Sequence, residues 1–154
     1  MKKVYLFAEG NKKMINILGG KGGNLAEMKS IGLPIPEGII ISTDACKEYY
    51  KDGKVISEEL RKEILEQIDK LEKLTGKKFE GEKPLLVSVR SGAPVSMPGM
   101  MDTILNLGMN DKTAESMIKI FKNEEFVYDL YFRFIQMFSE IVMGVEKEKF
   151  FELK

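Results

Sequence analysis

The chain has 154 residues, enough for one compact domain or for one domain and the beginning of a second. Apolar residues make up 44% of it and charged residues 31%, which supports a packed core and excludes disorder as the main state. The 24 basic and 24 acidic residues cancel, so the basic excess that marks most nucleic-acid binders is absent.

No apolar run reaches the roughly 18 residues of a membrane span. The charged start, Lys2 and Lys3 followed by Glu9, leaves no room for a signal-peptide core. Cys46 is the only cysteine, so no intrachain disulfide forms, and a cytoplasmic location is expected. The absence of histidine excludes a Ser-His-Asp triad, a His-ligated zinc and a phosphohistidine on this polypeptide.

In chain order, Val4–Phe7 reads as a short strand running into a turn at Gly10-Asn11. Gly19-Gly20-Lys21-Gly22-Gly23 reads as a flexible glycine cluster ahead of a helix that Gly32 and Pro34 stop. Ile39-Ile40-Ile41 has the β-branched character of a buried strand, and Thr43-Asp44 offers a cap for a short helix through Tyr50. The clearest helix starts at Ser57, carries Leu60, Ile64, Ile68, Leu71 and Leu74 on one stripe, and ends at Gly76. Its charged face reads as solvated surface. Leu85–Val89 is expected to be a buried strand with Arg90 at its exit, the stretch from Ser91 to Asp102 a long loop, and Thr103–Leu107 a strand. Two helices follow, from Asp111 to about Phe121 and over Glu125–Met143, the second with Phe126, Leu130, Phe134, Met137 and Ile141 on one face. That aromatic face has few elements to cover it, so the chain is expected to break off within a helical subdomain.

Two segments can carry chemistry. The glycine cluster around Lys21 is neither a Walker A loop, since glycine follows the lysine, nor the dinucleotide fingerprint, since Leu25 takes the third glycine position. It leaves a lysine among four glycines before a helix, where backbone and cation can approach an anion; a plain turn with a solvated lysine is the alternative. In the second segment the planar fork of Arg90 suits phosphate oxygens, with donors from Ser91, Ser96, Gly99 and Thr103 in the following loop. Here the alternative is a structural ion pair for Arg90 and gap-filling by Met97, Met100 and Met101. Asp102 could ligate a metal or act as a general base, but a single carboxylate beside a loop of methionines is assigned a local hydrogen bond to the loop backbone, and Cys46 a structural role. Together the two segments describe a split phosphate site.

Several stretches resemble the N-terminus of the pyruvate phosphate dikinase family: VYLF with Glu9-Gly10-Asn11, LGGKGGNLAEM at Leu18–Met28, GLPIPEG at Gly32–Gly38, LLVSVRSG at Leu85–Gly92, and SMPGMMDTILNLG at Ser96–Gly108. The likeness runs from about residue 3 into the helix bearing Arg133. It implies a mixed α/β fold, the N-terminal subdomain of an ATP-grasp-like nucleotide-binding domain over residues 1–109, with the beginning of a helical subdomain over 110–154. It further implies that Lys21 and Arg90 contact phosphate and that the Ser96–Thr103 loop, with Gly99, Met101 and Asp102, closes over it. Pro94-Val95 departs from the basic or small residues that many members carry there, which bears on loop mobility.

The family's enzymes convert ATP, pyruvate and phosphate to AMP, phosphoenolpyruvate and diphosphate. They work through a phosphohistidine on a swivelling domain and a pyruvate-binding barrel, which would be this chain's partners, and a full-length protein could pair as a homodimer. ATP with Mg2+ is the implied cofactor, its magnesium ligands falling outside this chain, and no metal site is assigned within it. The isolated chain is expected to be catalytically silent. Two other readings stay open: a phosphoenolpyruvate-synthase-type enzyme, against which the SMPGMMDT loop argues, and an interaction module that kept the fold and lost the chemistry.

Overall fold

The computed structural model describes residues 2–92 and 102–151. Ser96, Gly99 and Met101 therefore lie outside the described residues. The chain divides into two compact units, one running to Thr75 and the other holding Gly76–Ser91 with the described chain from Asp102 onward. The architecture is mixed α/β, as the sequence implies.

The first unit is built on a two-stranded antiparallel sheet. β1 (Val4–Leu6) pairs with β2 (Ile39–Ile41), matching Val4 to Ile41, Tyr5 to Ile40 and Leu6 to Ile39. Alternation along both strands sends Tyr5 and Ile40 to one face and Val4 and Ile39 to the other. On the first face they join Leu18 and Ala26 of α1 (Ile15–Ser30), with Phe7, Met14 and Ile17 at the margin. On the second, Val4 and Ile39 meet Ala45 of α2 (Thr43–Lys51) and Leu60 and Ile64 of α3 (Glu58–Thr75). The sheet is thus covered on both faces, but it is short, and Ile41 at its end is 50% exposed rather than buried.

The glycine cluster is not a flexible lead-in. It lies within α1, which bends at Gly19 (φ 72°, ψ 168°) and resumes through Gly20–Gly23. Gly22 is buried because the helix passes too close to Ile40 of β2 for a side chain, and Gly23 because it lies against Ile15 at the start of the same helix. α1 then ends as expected: Gly32 is left-handed at φ 81°, and Leu33 N–H donates to the Met28 carbonyl at 3.0 Å. The cap of α2 is Ser42 rather than Thr43 or Asp44, its hydroxyl accepting from Ala45 N–H at 3.2 Å. Ser57 does the same for α3, and Gly76 (φ 66°) follows its last turn.

In the second unit, β3 (Val87–Arg90) and β4 (Thr103–Leu107) form an antiparallel ribbon. Asn110 caps α4 (Asp111–Phe121) and Asn123 caps α5 (Glu124–Ile141), each accepting a backbone N–H three residues on. Lys122, left-handed at φ 52°, makes the corner between them. A short α6 (Glu148–Phe151) follows. Met109, Ala114, Met117 and Val127 form the core, with Leu86, Leu130, Tyr131 and Phe134 against it. The expected stripe of α5 holds in its middle, where Leu130 and Phe134 face the core, but not at its ends: Val127 is fully buried there, while Phe126 (42%) and Ile141 (38%) remain exposed. Phe126 meets Phe121 edge-on instead, at 5.6 Å between centroids. The compositional change near residue 110 falls inside this unit, where Met109 packs with α4 and α5.

Candidate functional site

Arg90 closes β3. Its strand is not buried: Val89 is 46% exposed, and Ser88 and Arg90 are exposed with it. The ribbon is only two strands wide, so Leu85 reaches the interior while the strand beyond it projects into solvent. Rigidity at Arg90 comes from pairing instead. Arg90 faces Thr103 across the ribbon, and Ser91 N–H donates to the Asp102 carbonyl at 3.3 Å, with the Ser91 hydroxyl 3.5 Å from the same oxygen. Because Ser91 and Asp102 form a hydrogen-bonded pair, Arg90 and Thr103 are the adjacent non-hydrogen-bonded pair, the type whose side chains stand closest on one face. Four expected site residues, Arg90, Ser91, Asp102 and Thr103, thus meet at one end of the ribbon. It is the backbone carbonyl of Asp102 that ties it to Ser91.

Lys21 belongs to the first unit. It lies one residue past Gly20, in the first turn of the helical stretch that resumes after the Gly19 bend, and it is half-buried. The positive end of a helix favours anions, and Gly22 and Gly23, held against Ile40 and Ile15, fix the backbone from which the lysine extends. The glycines here serve close packing, and the cation stands on a rigid element.

Two residues were not legible as contributors. Glu63, on the face of α3 that reads as solvated, accepts the backbone N–H groups of Lys3 (2.8 Å) and Val4 (2.9 Å) and so ties that helix to β1. Asn106, within β4, has φ of 58° and donates from Nδ2 to the Leu130 carbonyl of α5 at 3.4 Å. An asparagine inside a strand pattern is a signal for a bulge, since asparagine tolerates the left-handed region better than most residues. Among the described residues no group of three or more His, Cys, Asp or Glu side chains could hold a metal ion, and no helix is long and apolar enough to cross a membrane.

Comparison with known proteins matches residues 15–59 and 53–133 to the family described as pyruvate phosphate dikinase, AMP/ATP-binding domain. Pyruvate, phosphate dikinase of Clostridium symbiosum is 59% identical over 150 residues, 97% of this chain and 17% of the relative. The enzyme of that name from Entamoeba histolytica is 49% identical over 149 residues, 96% of this chain and 17% of the relative. Pyruvate, phosphate dikinase 1, chloroplastic, of Arabidopsis thaliana is 50% identical over 156 residues, covering 98% of this chain and 16% of the relative. The chain therefore spans about a sixth of the length of these relatives. The matched segments contain Lys21, the β3–β4 ribbon and the caps of α4 and α5, and the chain belongs to the pyruvate phosphate dikinase AMP/ATP-binding domain family.

Proposed function

We propose that this chain binds the phosphates of ATP, with Arg90 and Lys21 as its cationic groups, and that it serves as the nucleotide-binding part of a pyruvate phosphate dikinase. The observation that carries the reading is the cross-strand pair of Arg90 and Thr103, which puts an exposed arginine and a threonine on the same face at the end of the ribbon. A planar fork and a neighbouring hydroxyl suit phosphate oxygens. The loop over residues 96–103, with Ser96, Gly99 and Met101, is assigned to cover the phosphates on the strength of the family alone.

In such an enzyme ATP, pyruvate and phosphate become AMP, phosphoenolpyruvate and diphosphate. The part of Arg90 and Lys21 is to hold the phosphates and to offset the charge that develops on the transferred group. Mg2+ would accompany the nucleotide, its ligands expected outside this chain. The chain contains no histidine, so the phosphohistidine must reside elsewhere, and the chain alone is expected to bind without turnover. The names of the relatives favour phosphate over water as co-substrate. A cytoplasmic setting is inferred from the single cysteine.

Calorimetric titration of the chain with ATP and with pyrophosphate, beside Lys21→Ala and Arg90→Ala, tests this reading. Saturable binding that both substitutions weaken supports it. Binding that neither substitution changes, or none at millimolar ligand by a folded chain, refutes it for the isolated chain.

A further inference from the structure

β4 contains one residue more than the ladder with β3 requires. Val87 pairs with Leu107, yet Val89 pairs with Ile104 and Arg90 with Thr103. Between these pairs Leu105 and Asn106 together oppose Ser88, which is the arrangement of a β-bulge. Asn106 is the residue in the left-handed region, at φ 58°. It is half-buried, and its Nδ2 donates to the Leu130 carbonyl at 3.4 Å, so the bulge is anchored to α5.

We infer that Asn106 is a positioning residue for phosphate: its bulge sets the register that brings Thr103 opposite Arg90. This rests on the reading that Arg90 binds phosphate. Continued without a bulge from the Val87–Leu107 pair, the ladder would place Ile104 opposite Arg90 and Thr103 opposite Ser91. Side chains alternate along a strand, so the Thr103 hydroxyl would move to the other face, and an apolar side chain would stand beside the guanidinium. The extra residue returns Thr103 to the position opposite Arg90, on the same face. The left-handed backbone at Asn106 is what the insertion requires, and the hydrogen bond to the Leu130 carbonyl of α5 is a secondary tie that holds the bulge against the core.

The test uses Asn106→Gly, which keeps access to the left-handed region, and Asn106→Val, whose branched side chain disfavours it. In the isotopically labelled 154-residue chain, the Hα–Hα cross-peak between Arg90 and Thr103 reports the register directly, and calorimetry reports pyrophosphate affinity. Asn106→Gly should keep the cross-peak and bind within about threefold of wild type, while Asn106→Val should lose the cross-peak and bind at least about tenfold more weakly. Retention of the cross-peak in Asn106→Val, or its loss in Asn106→Gly, overturns the inference. Should Asn106→Val fail to fold, Asn106→Ala, which carries a milder left-handed penalty, is scored the same way. A wild-type chain that shows the cross-peak but binds no pyrophosphate refutes the phosphate reading, and the cross-peaks of the variants then decide the register by themselves.

Discussion

Ile40 occupies the space into which a side chain at Gly22 would grow: a Cβ built there would lie 2.9 Å from Ile40 Cγ2. Helix and sheet approach this closely because Gly22 has nothing to put between them, and Gly23 is pressed in the same way, its Cβ position 2.7 Å from Ile15 Cγ1. Neither glycine has an unusual backbone, so space alone is at stake.

Gly22→Ala is therefore expected to destabilise the chain by about 1–3 kcal/mol through overpacking, read as a lower urea midpoint. Gly92→Ala serves as the control, since among the described residues a Cβ there meets no atom within 4 Å. It should stay within about 0.5 kcal/mol of wild type. Equal stability for Gly22→Ala and Gly92→Ala would mean that α1 does not sit against β2 as described.

The glycine cluster shows where sequence reasoning reached its limit. Four glycines around a lysine look alike whether they serve a mobile loop or a close contact; only the partner, Ile40, decides, and it lies 18 positions from Gly22 in sequence. By contrast, the ends of α3, α4 and α5 were nearly legible because local chemistry sets them: Ser57, Asn110 and Asn123 each accept a backbone N–H, and Gly76 takes a left-handed φ. Arg90 and Thr103 could be nominated separately from residue type and strand pattern. Their pairing could not, because it depends on one inserted residue that alternation alone does not locate. The same limit hid Glu63, since a carboxylate on a charged helix face looks solvated until the strand amides it caps are placed.

Charge and geometry at Arg90 make separable contributions. Arg90→Lys keeps the charge but loses the fork, so it should bind pyrophosphate more weakly than wild type and at least as well as Arg90→Ala. The full loss in Arg90→Ala should be of the order of 1 kcal/mol, roughly fivefold in Kd, as expected for a solvent-exposed ion contact. Thr103→Val, with nearly the same shape and no hydroxyl, should cost about 0.5–1.5 kcal/mol of binding. Calorimetry on the three variants distinguishes these cases. If Arg90→Lys bound as tightly as wild type, the guanidinium would be acting as a point charge only.

Glu63 holds α3 to the first strand by accepting two successive amides, those of Lys3 and Val4, with one oxygen. Removing the acceptor leaves Val4, which is fully buried, with a donor lacking its partner. Glu63→Ala should therefore destabilise the first unit by about 1–3 kcal/mol. Glu63→Gln, which keeps a carbonyl oxygen, should lose less. Amide exchange provides the local readout: the Lys3 and Val4 amides should exchange faster in Glu63→Ala than in Glu63→Gln. Unchanged protection in both variants would show that the carboxylate is incidental to the strand.

The N-terminal segment also carries a pH-dependent contact. Burial alone would raise the Glu9 carboxyl, but the Lys2 ammonium at 2.6 Å, the Leu6 N–H at 2.7 Å and the nearby charges of Lys2 and Lys70 outweigh it, and the group is held below its ordinary value of about 4.5. A carboxyl that is more acidic when folded binds fewer protons in the native state than in the unfolded one. Its contribution is therefore present above the unfolded value and is lost as pH falls through the folded one. Glu9→Gln still offers Leu6 an acceptor but gives Lys2 no charge. Urea midpoints should thus place wild type above Glu9→Gln at neutral pH, with the gap narrowing below about pH 4.5 and closing in stronger acid. A gap of the same size at all pH values would assign the difference to the shape of the side chain, and the lowered acidity of Glu9 would then play no part in holding β1 to the turn that follows it.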